Sequence, residues 1–305
     1  MLSLTSLLSR RPIMLNAKLA SKADANHKSV IQLSDHVTVG GKDLLIVGGP
    51  CTVENLAQME AVASRLLTAP IQALRGGVYK PRTSPYAFQG MGLEGLEILA
   101  TVRQRYHLPV VTEVMAISQI EEIAAQADML QIGSRNMQNY DLLKALGQAG
   151  KPILLKRGLS ATIEEFVLAA EYILAHGNPN VVLCERGIRS FDTYTRNVLD
   201  LGAVAALRQI THLPIIVDPS HAAGKRELVA DLARAAIACG ADGLIIECHP
   251  EPEQSVSDAR QALSLEEMAE LVASLKPIAV AVGRGIAEMN TRPLVPVLAG
   301  MVGVK

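Results

Sequence analysis

Two short hydrophobic segments of the sequence each end in a side chain that can bind a metal ion. Residues 214–221 read Pro-Ile-Ile-Val-Asp-Pro-Ser-His and end at His221, and residues 243–250 read Gly-Leu-Ile-Ile-Glu-Cys-His-Pro and contain Glu247. Residues 225–239, between them, carry apolar side chains at helical spacing. A strand, a helix and a second strand bring both strand ends to one edge of a parallel sheet, so His221 and Glu247 are predicted to lie side by side. Asp258 follows on a loop that can fold back over this edge.

The same alternation of a short apolar segment, a loop and a helical segment recurs along most of the chain. The predicted strands are residues 44–50, 71–75, 109–114, 129–132, 152–156, 181–184, 214–217 and 243–246. Eight strands alternating with helices predict a (β/α)₈ TIM barrel. A doubly wound open sheet is the competing fold, but it usually has a glycine-rich dinucleotide turn after its first strand, and Gly48-Gly49-Pro50-Cys51 is not that turn.

The ends of the chain differ from this repeating pattern. Residues 30–47 form two alternating segments around Gly40-Gly41-Lys42, which predicts a β-hairpin that caps the bottom of the barrel. We therefore expect a flexible N-terminal tail (1–29), a catalytic barrel that includes the hairpin (30–280) and a C-terminal extension (281–305). The tail is basic and rich in serine, so an organelle transit peptide is the alternative to a cytoplasmic protein with a loose N-terminus.

The composition argues against several functional classes. A formal net charge of −1 over 305 residues disfavours a nucleic-acid or membrane surface as the main partner. No segment has the ~18 continuous apolar residues of a membrane span. The cysteines Cys51, Cys184, Cys239 and Cys248 lack the spacing of a zinc knuckle and are too few for a disulfide scaffold, which indicates a reducing compartment.

Because a TIM barrel carries its chemistry at the carboxyl ends of its strands, the residues that follow the predicted strands are the candidates for function. In order they are Cys51, Arg75, Glu113, Arg135, Lys156 with Arg157, Glu185 with Arg186, His221 and Glu247. So many ionisable groups on one rim would be costly to desolvate without a ligand. Each of them alone has an ordinary structural explanation, and their convergence is what favours a site.

One subset of these residues suits a metal ion. Cys51, His221, Glu247 and Asp258 offer a thiolate, an imidazole and two carboxylates, a set suited to Mn²⁺, Fe²⁺, Co²⁺ or Zn²⁺. Cys248 adjoins a candidate ligand, but strand alternation turns its side chain the other way.

A second subset is cationic and suits a multiply charged anion with phosphate or carboxylate oxygens. It consists of Arg75, Lys80, Arg82, Arg135, Lys156 and Arg186. Surface ion pairs with Glu113 and Glu185 are the alternative explanation, which we favour only for Arg157. Residues 80–85, Lys-Pro-Arg-Thr-Ser-Pro, form a loop stiffened by two prolines that can hold phosphate or hydroxyl groups at the same rim.

These motifs together resemble a known family. They are Gly49-Pro50-Cys51 with Glu54-Asn55, Arg75-Gly-Gly, Lys80-Pro-Arg-Thr-Ser-Pro85, Thr112-Glu113-Val114, Gly133-Ser-Arg135, Leu155-Lys-Arg-Gly158, Cys184-Glu-Arg-Gly187, Asp218-Pro-Ser-His221, Glu247-Cys-His-Pro-Glu251 and Ser257-Asp258. They resemble the 3-deoxy-D-arabino-heptulosonate-7-phosphate (DAHP) synthases, in the compact type I branch that is related to the 3-deoxy-D-manno-octulosonate-8-phosphate synthases. The resemblance covers residues 30–275 and all eight predicted strands.

The resemblance implies a metal-dependent condensation of phosphoenolpyruvate with erythrose 4-phosphate, the first step of the shikimate pathway. It implies that one divalent ion is bound by Cys51, His221, Glu247 and Asp258. It places Arg135 and Arg186 on the phosphate of phosphoenolpyruvate, and Arg75, Lys80 and Lys156 around its carboxylate and reacting end. The aldose phosphate would be held by Lys80, Arg82, Thr83 and Ser84. The expected catalytic residues are Lys156, Lys80 and His221, with proton transfer and plain electrostatic binding both open for Lys156.

Two other functions are weighed against this one. The sibling family uses arabinose 5-phosphate and has a Lys-Ala-Asn-Arg-Ser-Ser loop where this chain has Pro81 and Arg82, which favours the four-carbon aldose. A non-catalytic sugar-phosphate sensor would be expected to have lost some ligands, and here all are present. The resemblance further suggests a homodimer or homotetramer, and residues 1–44 are too short for an added feedback domain, so we expect a barrel without one.

Overall fold

The structure is organised around a closed barrel of parallel strands. It is a computed structural model that describes residues 16–288. Within them the strands are β1 (Ile31–Ser34), β2 (Val37–Val39), β3 (Leu45–Gly49), β4 (Ala73–Arg75), β5 (Val110–Glu113), β6 (Met129–Ile132), β7 (Ile153–Lys156), β8 (Val181–Glu185), β9 (Ile215–Val217) and β10 (Gly243–Glu247). Strands β3 to β10 form the barrel in sequence order, and β10 pairs with β3 to close it. The predicted TIM barrel is confirmed.

Helices follow the barrel strands and cover the outside of the barrel. They are α1 (Leu56–Leu67), α2 (Leu93–Tyr106), α3 (Ile120–Gln126), α4 (Tyr140–Leu146), α5 (Ile163–Ala175), α6 (Leu201–Ile210), α7 (Pro219–Ala223), α8 (Arg226–Ala238) and α9 (Leu265–Ala281). Their starts are encoded locally: Asn55 caps α1, and Thr162 and Glu165 form a capping box at α5.

The strands read as continuous apolar segments because both of their faces are buried. In β3, Leu45 and Val47 belong to the cluster inside the barrel, whereas Ile46 belongs to the cluster between the sheet and the helices. Gly49, the last residue of β3, has φ +145°, and a Cβ there would lie 2.1 Å from the Arg75 carbonyl oxygen. The glycine therefore lets β3 and β4 approach each other closely where the candidate site begins.

The N-terminal hairpin closes the bottom of the barrel. Its apolar side chains pack into the interior cluster; they are Ile31, Leu33, Val37 and Val39. The predicted turn was misplaced: the chain reverses at residues 35–36, between β1 and β2, and not at residues 40–42. Gly40 instead directs the chain from the hairpin toward β3, with φ +87° and the Ser29 carbonyl and Pro214 ring where a Cβ would be.

Residues on both sides of the predicted barrel domain pack against it. In the segment 16–29, expected as part of a flexible tail, Ala17 and Ala20 are buried and the Lys22 amide donates to the Ile210 carbonyl. After α9, the Gly285 carbonyl accepts from the Leu44 amide at 2.8 Å. The predicted domain boundaries stay predictions, and residues 1–15, with most of the candidate transit peptide, and 289–305 lie outside the described residues. Between residues 16 and 288, none of the helices is long and apolar enough to cross a membrane.

Arg157 forms an ion-pair cluster that is buried, whereas a surface ion pair was expected. Its Nη1 atom lies 2.8 Å from Glu185 and 3.0 Å from Asp200, which also caps α6. Burial raises the pKa of Glu185, although its contacts with Arg157 oppose the rise. The group therefore lies behind the rim, and Arg157 does not line the cavity described below.

The variant Arg157→Met is expected to lower the free energy of unfolding by about 3–5 kcal/mol, because Glu185 would be left buried without its cation. Urea denaturation measures this as a shift in midpoint at unchanged slope. Arg105→Met is the matched control, since the pair that Arg105 forms with Glu60 is partly exposed and its loss should cost ~1 kcal/mol or less. Equal losses in the two variants would contradict the prediction.

Candidate active site and metal centre

The four candidate metal ligands converge at the carboxyl end of the barrel. One ligand atom from each of Cys51, His221, Glu247 and Asp258 lies within 4.8 Å of the others. Cys51 follows β3, Glu247 ends β10, and these strands are neighbours because the barrel is closed. His221 lies one turn beyond the end of β9, on α7, which begins with Asp218 as its N-cap and Pro219.

The ligand atoms contact each other and a small set of neighbours. The Cys51 Sγ atom donates to Asp258 Oδ2 at 3.0 Å, and His221 Nε2 lies 3.4 Å from Glu247 Oε1. Lys80 Nζ donates to Cys51 Sγ at 2.9 Å, and the Ser257 hydroxyl does so at 3.3 Å. The sulfur thus faces the other three groups and does not point into the apolar core.

The protonation states of these groups are set by burial and by their neighbours. Burial, with the nearby Glu247 carboxylate, raises the pKa of the Cys51 thiol to about 12. Burial also lowers the pKa of His221, which favours the neutral imidazole. For Glu247 and Asp258 burial acts to raise the pKa, but the positive charge that His221 carries when protonated, together with the adjacent cations, outweighs it, so both pKa values are lowered.

These residues fit a divalent ion. Glu247 Oε1 is buried and accepts no hydrogen bond from residues 16–288, although Arg75 Nη2 lies 3.0 Å from it. His221 presents Nε2 to the cluster because Nδ1 lies 2.8 Å from Asp218 Oδ2, the arrangement that fixes a metal-binding tautomer. A thiol coordinated to such an ion is deprotonated, so the high pKa of Cys51 does not oppose ligation.

Three polar residues that sequence reasoning did not select hold the ligands in place. Asp218 contacts both His221 Nδ1 and the Lys156 ammonium group. Gln261 Nε2 donates to Glu247 Oε2 at 2.6 Å, and Arg196 Nη1 lies 3.0 Å from Asp258 Oδ1. Asp218 had a local signal, the Asp-Pro start of a helix that carries His221. Gln261 and Arg196 had none, because their loops have no periodicity.

The variant Asp218→Asn is expected to weaken divalent-metal binding by about 10–100-fold, because the imidazole of His221 loses the carboxylate that orients it. Isothermal titration of the metal-free protein with Mn²⁺ or Zn²⁺ measures the Kd directly. Asp231→Asn, on the exposed surface of α8, is the control. An unchanged Kd in Asp218→Asn would show that the carboxylate does not orient the ligand.

A cavity of about 400 Å³ opens beside the ligand cluster. Eight cationic side chains line it, against two carboxylates, Glu113 and Asp258. All six cations that were predicted to face the rim are among them, together with Arg189 and Arg196. Thr83 lines the cavity as well, but Ser84 does not, and the Ser84 hydroxyl accepts a hydrogen bond from the Tyr86 amide at 3.3 Å.

The cations of the cavity differ in their partners. Arg75 pairs with Glu247, and Lys156 pairs with Asp218. Arg186 is only 4% exposed, yet its guanidinium contacts only backbone carbonyls and forms no ion pair with any residue between 16 and 288. Burial lowers the pKa of Arg186, and the nearby charge of Arg196 adds to this effect, whereas Asp218 opposes it. A buried arginine without an ion pair, beside a cluster of candidate metal ligands, favours an anionic ligand.

Comparison with known proteins identifies the family. The sequence matches the DAHP synthetase I family over residues 23–282. The chain belongs to the DAHP synthetase I family. This confirms the resemblance inferred from the motifs.

Members of the DAHP synthetase I family and their relatives match most of the chain. The chain is 49% identical over 266 residues to the phospho-2-dehydro-3-deoxyheptonate aldolase of Thermotoga maritima, which covers 87% of this chain and 78% of that protein. It is 36% identical over 251 residues to the 2-dehydro-3-deoxyphosphooctonate aldolase of Syntrophotalea carbinolica, covering 76% of this chain and 90% of that one. Identity is therefore higher to the heptonate enzyme.

Solved structures agree with this assignment to the DAHP synthetase I family. The crystal structure of the Thermotoga maritima phospho-2-dehydro-3-deoxyheptonate aldolase (DAHP synthase) matches with a TM-score of 0.87 and 47% identity, covering 90% of this chain and 80% of that chain. A truncated form of the 3-deoxy-D-arabino-heptulosonate 7-phosphate synthase from the same organism matches with a TM-score of 0.83 and 45% identity, covering 89% and 99%.

Proposed function

We propose that this protein is a DAHP synthase, which condenses phosphoenolpyruvate with erythrose 4-phosphate and water to give DAHP and phosphate. The observation that carries the proposal is the buried Arg186, without an ion pair, in the same cavity as a four-residue metal-ligand cluster. The 49% identity of the chain to the phospho-2-dehydro-3-deoxyheptonate aldolase of Thermotoga maritima supports this substrate pair.

The proposed roles follow from the positions of the cavity residues. Arg186, which follows β8, and Arg135, which follows β6 and lines the same cavity, bind the phosphate of phosphoenolpyruvate. Arg75 and Lys80, which contact Glu247 and Cys51, and Lys156, which pairs with Asp218, surround its carboxylate and reacting end. The loop 80–85 holds the aldose phosphate through the remaining predicted residues, which are Arg82, Thr83 and Ser84. Ser84 would have to turn toward the cavity for this role, since its hydroxyl faces the Tyr86 amide.

Three bond changes make up the proposed reaction. C3 of phosphoenolpyruvate attacks the aldehyde carbon, and the aldehyde oxygen takes up a proton. Water adds its oxygen to C2 and releases a proton, and the phosphohemiketal then collapses: the bond from C2 to the bridging oxygen breaks, the C2 hydroxyl becomes the ketone, and the hydroxyl proton passes to the departing phosphate. Arg186, Arg135 and Lys80 stabilise the anionic groups throughout. A divalent ion held by Cys51, His221, Glu247 and Asp258 would supply Lewis acidity toward the aldehyde oxygen.

Lys156 is the candidate for moving a proton in this scheme. Its ammonium group is bonded to Asp218, which also holds His221, so a proton at Lys156 lies next to the cluster. Electrostatic binding of the substrate carboxylate is the alternative role for Lys156. Lys156→Met would abolish both roles, whereas Lys156→Arg would retain binding and lose proton transfer, so a low kcat at normal KM in Lys156→Arg assigns the proton.

Phosphate release from phosphoenolpyruvate tests the function and its alternatives. We expect release with erythrose 4-phosphate and metal, and loss of release after chelation that is restored by Mn²⁺ or Co²⁺. Preferred use of arabinose 5-phosphate would instead support the octulosonate activity that the names of the 36% identical relatives describe. If the metal-loaded protein turned over neither aldose, the non-catalytic sugar-phosphate sensor would be the remaining function.

We further propose that the metal is one of Mn²⁺, Fe²⁺, Co²⁺ or Zn²⁺ and that the protein forms a homodimer or homotetramer. Tyr86 and Phe191 are 97% and 99% exposed on loops beside the cavity, and exposed aromatic side chains of this kind are typical of contact surfaces. Metal analysis of the purified protein and light scattering would test the two proposals.

A further inference from the structure

A second cavity lies at the opposite end of the barrel, far from the candidate active site. Its volume is about 230 Å³, and its walls come from three parts of the chain: the N-terminal segment 22–29, the end of α6 with the turn into β9, and Arg284 after α9. Pro214 and Asp242, which also line it, directly precede β9 and β10. The cavity therefore belongs to the N-terminal mouth of the barrel.

The lining of this cavity carries an excess of positive charge. Four cations line it, Lys22, Lys28, Arg208 and Arg284, and the only carboxylate among its lining residues is Asp242. Asp242 is already engaged, since Oδ1 lies 2.9 Å from Arg284 Nη1 and Oδ2 accepts from the Ile215 amide at 2.8 Å. Three cations are thus left without a carboxylate to balance them.

None of these three cations forms an ion pair with a residue between 16 and 288; Lys22 is half-buried, whereas Lys28 and Arg208 are exposed at the edge of the cavity. Lys22 Nζ donates to the Arg208 carbonyl, and Arg208 Nη1 donates to the Cys239 carbonyl at 3.3 Å. Lys28 has no ion pair with any residue from 16 to 288. Residues 1–15 and 289–305 contain no Asp or Glu.

Two further observations indicate that the cations face one space. Burial lowers the pKa of Lys22, and the charges of Lys28 and Arg208 lower it further, which requires that the three lie close together. In addition, Arg284 is held at the same wall of the cavity by Asp242, whose Oδ1 atom lies 2.9 Å from Arg284 Nη1.

We propose that this cavity is a second anion site, which binds a compact phosphate group at the N-terminal mouth of the barrel. Lysine and arginine clusters are suited to multiply charged oxyanions. The volume is below the ~300–1,000 Å³ of sites for drug-sized ligands, which limits the occupant to inorganic phosphate or the phosphoryl end of a small metabolite. The site is independent of the proposed catalytic function, because it shares no residue with the cavity beside the metal ligands.

Occupancy of the site would tie the N-terminal segment to the barrel. Lys22 and Lys28 belong to that segment, whereas Arg208 belongs to α6 and Arg284 follows α9. An anion that bridges them must be released before the segment can detach. Binding should therefore slow hydrogen exchange of the segment by a factor of about 1 + [ligand]/Kd, or roughly tenfold at a ligand concentration ten times the Kd.

Hydrogen exchange measured by mass spectrometry tests the site separately from phosphate binding at the active site. The full-length protein is titrated with inorganic phosphate, and exchange is followed in peptides that cover residues 19–29. We expect roughly tenfold protection at a phosphate concentration ten times the Kd in the unmodified protein and in the control Lys18→Gln, whose exposed side chain does not line the cavity. Protection should be lost in Lys28→Gln/Arg208→Gln and reduced in the milder Lys28→Gln.

Repeating the titration with other anions identifies the ligand and separates specific binding from charge screening. Protection by glycerol 3-phosphate as well as phosphate assigns the phosphoryl group of a metabolite, and protection by phosphate alone assigns the free ion. Equal protection by chloride at matched ionic strength would overturn the proposal, because charge screening would explain it. Unchanged protection in both cavity variants would overturn it too.

Discussion

Replacing Cys51 with serine is expected to lower kcat/KM for phosphate release by about a thousandfold, the rate equivalent of about 4 kcal/mol. Serine nearly preserves the size of the side chain, so the fold should survive. It removes the sulfur that lies against Asp258 and Lys80, and a neutral hydroxyl is a much weaker ligand for the proposed ions than the thiolate that cysteine would supply on binding them. The measurement is steady-state kinetics together with metal content after dialysis.

Cobalt substitution gives the Cys51 experiment a readout apart from activity. The Co²⁺-loaded protein should show a sulfur-to-metal absorption band that Cys51→Ser lacks. Cys248→Ala is the matched control, because Cys248 is equally buried and adjoins Glu247 but packs in the outer core cluster. It should keep the band and the activity while losing ~1 kcal/mol of stability. A Cys51→Ser protein that retained full metal content and activity would exclude Cys51 as a ligand.

Arg186→Met is expected to lower kcat/KM for phosphoenolpyruvate by about 10²–10³-fold, the usual cost of removing one preorganised charged donor. Most of the loss should fall on KM for phosphoenolpyruvate, and KM for erythrose 4-phosphate should change little, because the two phosphates occupy different parts of the proposed site. The Arg186 guanidinium is held in place by the His221 carbonyl at 3.1 Å, so it is ordered before substrate binds. Initial-rate kinetics with each substrate varied in turn measures both constants.

The lysine variant separates charge from geometry at this position. Arg186→Lys keeps the positive charge but loses the paired donors of the guanidinium, and we expect it to recover activity to within roughly tenfold of the unmodified protein. Arg234→Gln, on α8 outside the cavity, is the control for removing an arginine. If Arg186→Met raised KM for erythrose 4-phosphate instead, the assignment of the two phosphate positions would be reversed.

The barrel and most of its helices could be predicted because their signals lie within contiguous residues. A strand buried on both faces must be apolar throughout, and the predicted segments 129–132 and 243–246 coincide with β6 and nearly coincide with β10. Helix α5 begins where Thr162 and Glu165 form a capping box. The helical periodicity of residues 265–275 predicts the start of α9, but the helix continues through Pro277 to Ala281. Packing of Ala279 in the core supports that continuation, which local propensity disfavours.

The candidate site also has a part that could be predicted from the sequence and a part that could not. Fold and residue types together predicted that Cys51, His221, Glu247 and Asp258 would meet, because strand ends of a barrel share one rim and closure makes β3 and β10 neighbours. Which polar groups complete the contacts was decided by tertiary structure alone. Arg196 meets Asp258 across 62 residues, and Arg82 donates to the Ser257 hydroxyl across 175.

The amino-acid sequence by itself thus determined the fold and the family and predicted which candidate ligands meet at the rim, since these depend on local periodicity and on residue types at strand ends. Only the tertiary structure decided that Arg186 is buried without an ion pair, that Arg157 is balanced by Glu185 and Asp200, and that unbalanced cations gather at the opposite mouth. The physical reason is that the cost of a charge depends on its burial and partners, which are set by side chains distant in sequence.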